Sequence, residues 1–322
     1  LGVAVGIEDE ELAREGDPKK ALEALEWASE RAERGEGASE LLIKATRRDF
    51  QVASEKYVED LRGHLDRIIM SRDAEAGLDA LLESGALAAL LPEVSAMVGF
   101  GDGEWRHKDV WKHTKQVVRQ AVPRLEIRWA ALLHDIGKMK TRSISPTGEV
   151  HFFGHAEVGA RMFDKMNRRL PIFRRDDALR DTVRFLILHH LRASQYDASW
   201  TDSAVRRFAR EMGPLLDDVL CLSRADITTK RPEKKKKGLR QISDLGERVR
   251  TLAEEDAVVP PLPSGIGDAI MTAFGLAPSR LVGDIKRALE KAVEDGSLAA
   301  HQPAEFYVAH LAENRERFGL PR

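Results

Sequence analysis

Arg128-Trp-Ala-Ala-Leu-Leu-His-Asp-Ile-Gly-Lys138 is an apolar helical run that ends on two metal-competent side chains. Counted from the preceding residue, Ile127, Ala130, Ala131 and His134 fall on one stripe of an α-helix, with Asp135 beside it. Small Ala130 and Ala131 leave room next to His134, and Gly137 marks where the backbone must turn away. The pattern recurs outward in both directions. Upstream, Val110, His113 and Val117 share a stripe. Downstream come His155, Val158, Gly159 and Met162, then Val183, Leu186, Ile187 and His190, then Leu215, Val219, Leu222 and Asp226. Five helices thus each turn an imidazole or carboxylate toward the face that should be buried. Leaving such groups unpaired in a core costs several kcal/mol in all, and a shared cation removes that cost. His189 lies about 100° around the helix from His190 and is expected outside the ligand set. His151 has no stripe to place it, and His64, His301 and His310 fall in other segments.

The remaining composition agrees with helices. Ala, Leu, Glu and Arg dominate the 322 residues, and aromatics are 6%. A net charge of -2 provides no global field toward nucleic acid or membrane, so polyanion binding has to come from local patches. The single cysteine, Cys221, excludes an internal disulfide and fits a reducing cytoplasm. No apolar run approaches the ~18 residues of a membrane-spanning helix. Leu1–Gly6 is too short and too unflanked for a signal peptide, and Leu1 in place of an initiator Met leaves open an upstream extension.

The predicted fold class is all-α. Residues 7–36 read as one or two acidic, surface-exposed helices broken near Gly16-Asp17-Pro18 and Gly35-Glu-Gly37. Residues 38–70 read as further helix, and 73–91 as a helical pair broken at Ser84-Gly85. A short hairpin is expected across Ser143–Phe153, turning at Pro146-Thr-Gly148. A Pro-rich hinge, Val259–Ser264, precedes a last module. The expected division is an N-terminal extension (1–54), a helical neck (55–98), a metal-binding domain (99–255) and a helical tail (256–322).

His113, His134-Asp135 and Asp226 resemble the H…HD…D signature of the HD superfamily of metal-dependent phosphohydrolases. Longer segments are similar to the HD half of bacterial CCA tRNA nucleotidyltransferases and poly(A) polymerases: Arg106–His113, Arg128–Lys138, Gly154–Ala160, Thr201–Arg207 and Ser223–Thr228. Tyr57–Val94 resembles that family's neck, and Ser264–Met271 with Phe274–Gly283 its tail, so the likeness covers roughly residues 55–315 in order. The family's nucleotide-adding head carries a Gly-rich strand turn and an Asp-x-Asp pair, and residues 1–55 supply neither. Arg47-Arg-Asp-Phe50 is similar to a short head motif, but Gln51-Val-Ala-Ser54 follows it in place of an apolar continuation. It is read as coincidence, with Arg47 and Arg48 as exposed helix charges.

What the resemblance implies is a hydrolytic centre acting on nucleotides or RNA termini such as 2′,3′-cyclic phosphates, by attack of a metal-activated hydroxide on phosphorus. His113, His134, Asp135 and Asp226 would hold a first divalent ion. His155 and His190, with Asp135 bridging, would hold a second. Mixed imidazole and carboxylate ligands suit Mn, Fe, Co, Ni or Zn, as one ion or two. Asp135 and Lys138 are the expected catalytic residues. Lys138 either meets an anionic substrate or, as a helix-end cation, satisfies the dipole. Lys230, Arg231 and Lys234, Lys235, Lys236 and Lys237 follow Asp226 closely and are expected as a mobile basic loop at the mouth of the site; a plain solvated charge run is the other reading. Arg168, Arg169, Arg174 and Arg175 form a second basic cluster, expected in the loop before the His190 helix. The Phe274–Arg280 turn reads either as a phosphate contact at a helix N-terminus or as helix packing. No aromatic interleaving of the basic runs points to base stacking. The expected partner is a nucleotide or RNA such as tRNA. The alternative is a binding role: the body and tail of a tRNA nucleotidyltransferase, with a head carried elsewhere or on another chain, or a homo-oligomer. A regulatory nucleotide-binding HD protein is a third reading.

Overall fold

The computed structural model describes residues 18–34, 47–101, 109–257, 260–318 and 320. The fold is all-α, and among the described residues the extended structure is one two-stranded hairpin. Helices α1 (Pro18–Arg34), α2 (Arg47–Lys56), α3 (Val58–Met70), α4 (Ala74–Glu83), α5 (Ala86–Leu90) and α6 (Pro92–Ser95) come first. Next are α7 (Val110–Gln120), α8 (Leu125–Leu133) and α9 (Lys138–Thr141), then the hairpin β1 (Ser143–Ile144) and β2 (Val150–His151). They are followed by α10 (His155–Arg169), α11 (Asp177–His189), α12 (Asp202–Met212), α13 (Leu216–Asp226) and α14 (Pro232–Ala257). The last three are α15 (Ile266–Phe274), α16 (Arg280–Glu294) and α17 (Ala304–Glu313). The chain divides into two compact units, up to Val249 and from Arg250.

Side-chain caps start the helices that matter most to the site. The Asp109 carboxylate accepts from the backbone N–H groups of Trp111 and Lys112, Asp176 from Leu179, and Thr201 from Ala204. The break expected at Ser84-Gly85 is present, and Gly85 takes the left-handed conformation at φ 79° between α4 and α5. The hairpin pairs Ser143 with His151 and Ile144 with Val150.

The acidic N-terminal segment departs from expectation. Instead of being surface-exposed throughout, α1 buries Ala21, Ala24, Leu25, Ala28 and Ala32 completely against α3 and α4. The approach to α4 is close: a Cβ on Gly77 would lie 2.6 Å from Ala32 Cβ. Residues 7–17, 35–36 and 38–46 lie outside the described residues.

Two buried polar contacts join α3 to α8, the helix that carries the site. Trp129 Nε1–H donates to Asp66 Oδ1 at 2.7 Å. The Arg128 guanidinium donates to Ile69 O at 2.7 Å and to Ala121 O at 2.9 Å. The second unit has its own core, with Ile266, Ile270, Ile285, Leu289, Tyr307 and Leu311 buried together. There the Tyr307 hydroxyl bonds to Pro261 O and Ala299 O. No helix among the described residues is long and apolar enough to cross a membrane.

Candidate metal centre

Helices α7, α8, α10, α11 and α13 bring the six sequence-derived ligands into one cluster around Asp135. This carboxylate and the rings of His134 and His190 are 1% exposed, so water does not solvate them freely. Asp135 Oδ2 lies 3.2 Å from His134 Nε2 and 3.5 Å from His113 Nε2. Its other oxygen, Oδ1, lies 3.5 Å from His155 Nε2. Asp226 Oδ1 closes the first group, 2.9 Å from His113 Nε2 and 3.6 Å from His134 Nε2. Ligand atoms of His113, His134 and Asp135 gather within 4.8 Å of one another, and so do those of Asp135, His155 and His190.

The hydrogen bonds of the rings test whether a cation fits. His134 Nδ1–H donates to Ala131 O at 2.8 Å, His155 Nδ1–H to Phe152 O at 2.8 Å, and His190 Nδ1–H to Ile187 O at 2.7 Å. A carbonyl oxygen only accepts, so each Nδ1 must carry hydrogen and each neutral ring has its lone pair on Nε2. His134 Nε2 lies 3.3 Å from Nε2 of His113, whose tautomer the Thr228 hydroxyl does not fix, but the Nε2 atoms of His155 and His190, both so fixed, are 3.1 Å apart. Two lone pairs cannot face each other at that distance without a shared positive charge. A proton is poorly supported at the His155–His190 pair, because burial pushes His190 down to about 4 and also lowers His155. A divalent cation fits: N and O donors face inward, and each backbone carbonyl fixes a tautomer, the usual outer support of a metal-bound imidazole.

The acidic members are held ionised. Burial raises the Asp135 carboxyl, but His134, Lys138 and His113 outweigh it and hold the group well below the ordinary range. Burial likewise raises Asp226, and the hydrogen bond from His113 and the charge of His134 bring it to about 2. For His134, burial lowers the imidazole, whereas Asp135 and Asp226 outweigh that and raise it. Buried negative charge at this point calls for a cation.

The backbone makes room for the cluster at one spot. A Cβ on Gly137 would sit 2.0 Å from His155 O and 2.7 Å from Gly159 N, so only glycine lets the turn after α8 touch the start of α10. The stripe carrying His155 is rotated from the expected one. Ala156, Gly159, Ala160, Phe163 and Met166 are its buried members, while Val158 and Met162 are half-buried.

The HD domain family matches residues 110–231, the segment that carries all six candidate ligands. An A-adding tRNA nucleotidyltransferase of Deinococcus radiodurans is 31% identical over 306 residues, covering 92% of this chain and 69% of that protein. The chain belongs to the tRNA nucleotidyltransferase family. A CC-adding tRNA nucleotidyltransferase of Thermus thermophilus is 30% identical over 267 residues, covering 80% of the chain but only 58% of the relative. A multifunctional CCA protein of Azoarcus is 34% identical over 139 residues, with 41% and 32% covered. The chain thus spans less than two thirds of these last two relatives.

The likeness within the tRNA nucleotidyltransferase family runs further than residues 55–315. Coverage of 92% leaves out about 26 residues, so the match includes Arg47-Arg-Asp-Phe50 whichever end it omits. Phe50 is fully buried and Asp49 nearly so.

Other expected residues land differently. Lys138 Nζ donates to Asp135 Oδ2 at 2.7 Å, so its ammonium rests on a candidate ligand. Lys234, Lys235, Lys236 and Lys237 are not in a mobile loop. Pro232 and Glu233 begin a 26-residue helix, α14, and the lysines occupy its exposed first turns. Lys230 and Arg231 lie exposed in the link before it. Of the second basic cluster, Arg168 and Arg169 end α10 rather than lying in a loop. Arg169 pairs with Glu93 of α6 at 2.8 Å, and Arg174 and Arg175 share Glu59 of α3, so two carboxylates balance two of these three charges. In the Phe274–Arg280 turn, Gly275 closes α15 at φ 64° and Ser279 precedes α16. His189 is half-buried against Phe185, off the cluster.

Two positions that support ligands were not anticipated. Thr228 Oγ1 lies 2.8 Å from His113 Nδ1, which makes it the outer partner of that ring. The Ser223 hydroxyl donates to Val219 O and to His190 O, tying α13 to the end of α11. Both lie in the Ser223–Thr228 segment, and Thr228 stands two residues beyond Asp226.

Proposed function

We propose that this chain is a metal-dependent phosphohydrolase acting on nucleotides or RNA termini, 2′,3′-cyclic phosphates among them. The observation that carries the reading is the buried His155–His190 couple, whose Nε2 lone pairs face each other at 3.1 Å beside the ionised Asp135 carboxylate. His113, His134, Asp135 and Asp226 would hold one divalent ion, and His155 and His190 with the second oxygen of Asp135 another. A bound divalent ion of this kind supplies acidified water and polarised phosphoryl oxygens.

The chain's own residues do the rest. Lys138 and the imidazoles keep Asp135 ionised, and the carbonyls of Ala131, Phe152 and Ile187 hold three rings in the ligating tautomer. In hydrolysis of a cyclic phosphate, water oxygen forms the new bond to phosphorus. One ester P–O bond breaks, and the departing ribose oxygen takes a proton. The lysines of α14, with Lys230 and Arg231, would attract a phosphate backbone without reading its sequence. The division proposed is extension, neck, HD domain and tail.

The test is turnover of 2′,3′-cyclic nucleotides and phosphomonoesters with Mn, Co and Ni. Wild-type protein is expected to hydrolyse at least one class, and Asp135→Ala, verified as folded, to lose turnover by at least 100-fold. Equal turnover in the variant would remove the assignment.

A second reading is favoured by the 31% identity that extends along 92% of the chain. In it these helices are the tRNA-holding part of a nucleotide-adding enzyme, with the polymerising residues in sequence outside these 322 residues. Reading the coding frame upstream discriminates the two, because a head with paired aspartates would favour polymerisation.

A further inference from the structure

The chain between β2 and α10 carries Phe152 and Phe153 in the three residues before the candidate ligand His155. Phe153 is 78% exposed, the most exposed large hydrophobic side chain among the described residues. Its ring stacks on the His151 imidazole, with centroids 5.0 Å apart and planes 15° from parallel. On its far side His151 faces Glu149, whose carboxylate lies 3.9 Å from Nε2.

Leaving a phenyl ring in water forgoes burial worth roughly 1.5–3 kcal/mol, so a ring held out by its backbone invites an explanation. Here the backbone holds it out. Gly154, at φ 71°, separates Phe153 from His155, so the first side chain points to solvent while the second, two residues on, enters the ligand cluster. Two residues span at most about 7 Å of chain. The carbonyl oxygen of Phe152, which lies between His151 and Phe153 in sequence, accepts the His155 Nδ1–H. The Lys138 ammonium rests 5.6 Å from the centre of the Phe152 ring. The same arm carries Lys140 and Arg142, both exposed. An exposed aromatic face two residues from a candidate ligand, beside a Phe152 ring that the Lys138 ammonium approaches, matches two parts of a nucleotide: base and reacting phosphate.

We infer that the Phe153–His151 ring pair stacks the nucleobase of a substrate whose phosphate lies at the Asp135 centre. The inference rests on the phosphohydrolase reading and adds which side chains hold the base of that substrate. Every base has a π-face, so the platform contributes affinity without choosing a sequence.

The test uses the full chain and two probes in titration calorimetry, adenosine 3′-monophosphate and ribose 5-phosphate. Wild-type protein should bind the nucleotide more tightly than the baseless sugar phosphate. Phe153→Ala should weaken the nucleotide by about 5- to 100-fold, the range of a lost base stack, and leave ribose 5-phosphate unchanged. Phe153→Trp should restore nucleotide binding. An equal loss for both probes, or no loss for the nucleotide, overturns the inference. If base-dependent binding disappears in Phe153→Ala although no metal supports hydrolysis, the platform stands and the hydrolytic reading fails. If cyclic nucleotides are hydrolysed with the same KM by wild type and Phe153→Ala, hydrolysis stands and the platform fails.

Discussion

Each imidazole in this centre depends on the atom behind it. For His134, His155 and His190 that atom is a carbonyl of the same helix end or turn, so a side-chain substitution cannot remove it. His113 is different, because its Nδ1 faces the Thr228 hydroxyl at 2.8 Å and donates to it when Nε2 is a ligand. Thr228→Val keeps the shape and deletes the acceptor. Metal affinity measured by chelator competition is expected to fall about 10- to 100-fold, the usual cost of losing such a support. Unchanged affinity would mean that His113 is not a ligand. The distinction between His190 and His189 was legible in the sequence, because a 100° rotation separates a core face from a flank. The role of Thr228 was not: nothing in a linear pattern shows which hydroxyl meets the far nitrogen of a ring 115 residues away. Nor was the stacking of Phe153 on His151, which depends on hairpin geometry and the left-handed Gly154.

Among the elements, the contact of the turn after α8 with α10 is the tightest constraint on the site. Gly137→Ala would drive a Cβ to 2.0 Å from His155 O, and no side chain can yield there because the obstacle is backbone. Helix α10 must shift, and His155 shifts with it. The expected loss is about 1–3 kcal/mol or more in denaturant unfolding, together with weaker metal binding. Native-like stability in that variant would contradict the packing. A second element-scale consequence concerns α1. His64, on α3, faces Ser29 and Glu26 of that helix, and burial lowers its pKa below 6.5 even though Glu26 opposes the shift. A lowered histidine takes up its proton less readily folded than unfolded. Its contribution is therefore complete above pH 6.5 and is lost as pH falls from 6.5 toward the folded value. The denaturation midpoint should drop over that window in wild type and drop less in His64→Gln; equal slopes would exclude the effect. Helix α1 was half legible. Its Ala21, Ala24, Leu25, Ala28 and Ala32 stripe is regular, but alanines between glutamates give a weak apolar signal and charge dominated the reading. Pro232 followed by Glu233 was a helix-start signal that the lysine run obscured.

At the scale of the whole molecule, the ligand geometry links metal binding to the stability of one unit and not the other. All six candidate ligands lie before Val249, on or at the ends of five helices that are far apart in sequence, and the second unit has a separate core built on Ile270, Leu289 and Tyr307. In the unfolded chain these side chains are scattered, so the ion binds the folded first unit almost exclusively. At a free-metal concentration 100 times Kd, that preference stabilises the fold by about 2.7 kcal/mol, which corresponds to roughly 5–10 °C in Tm for a unit of this size. Calorimetric scans with and without Mn should therefore show the larger transition moving up with metal and returning with chelator. The smaller transition, from the unit beginning at Arg250, should stay in place. The same scans on Asp135→Ala provide the control, because a variant without the central carboxylate should lose the metal-dependent shift while keeping both transitions. A shift confined to the smaller transition would place the ion in the second unit, and an equal shift in the variant would place it away from Asp135.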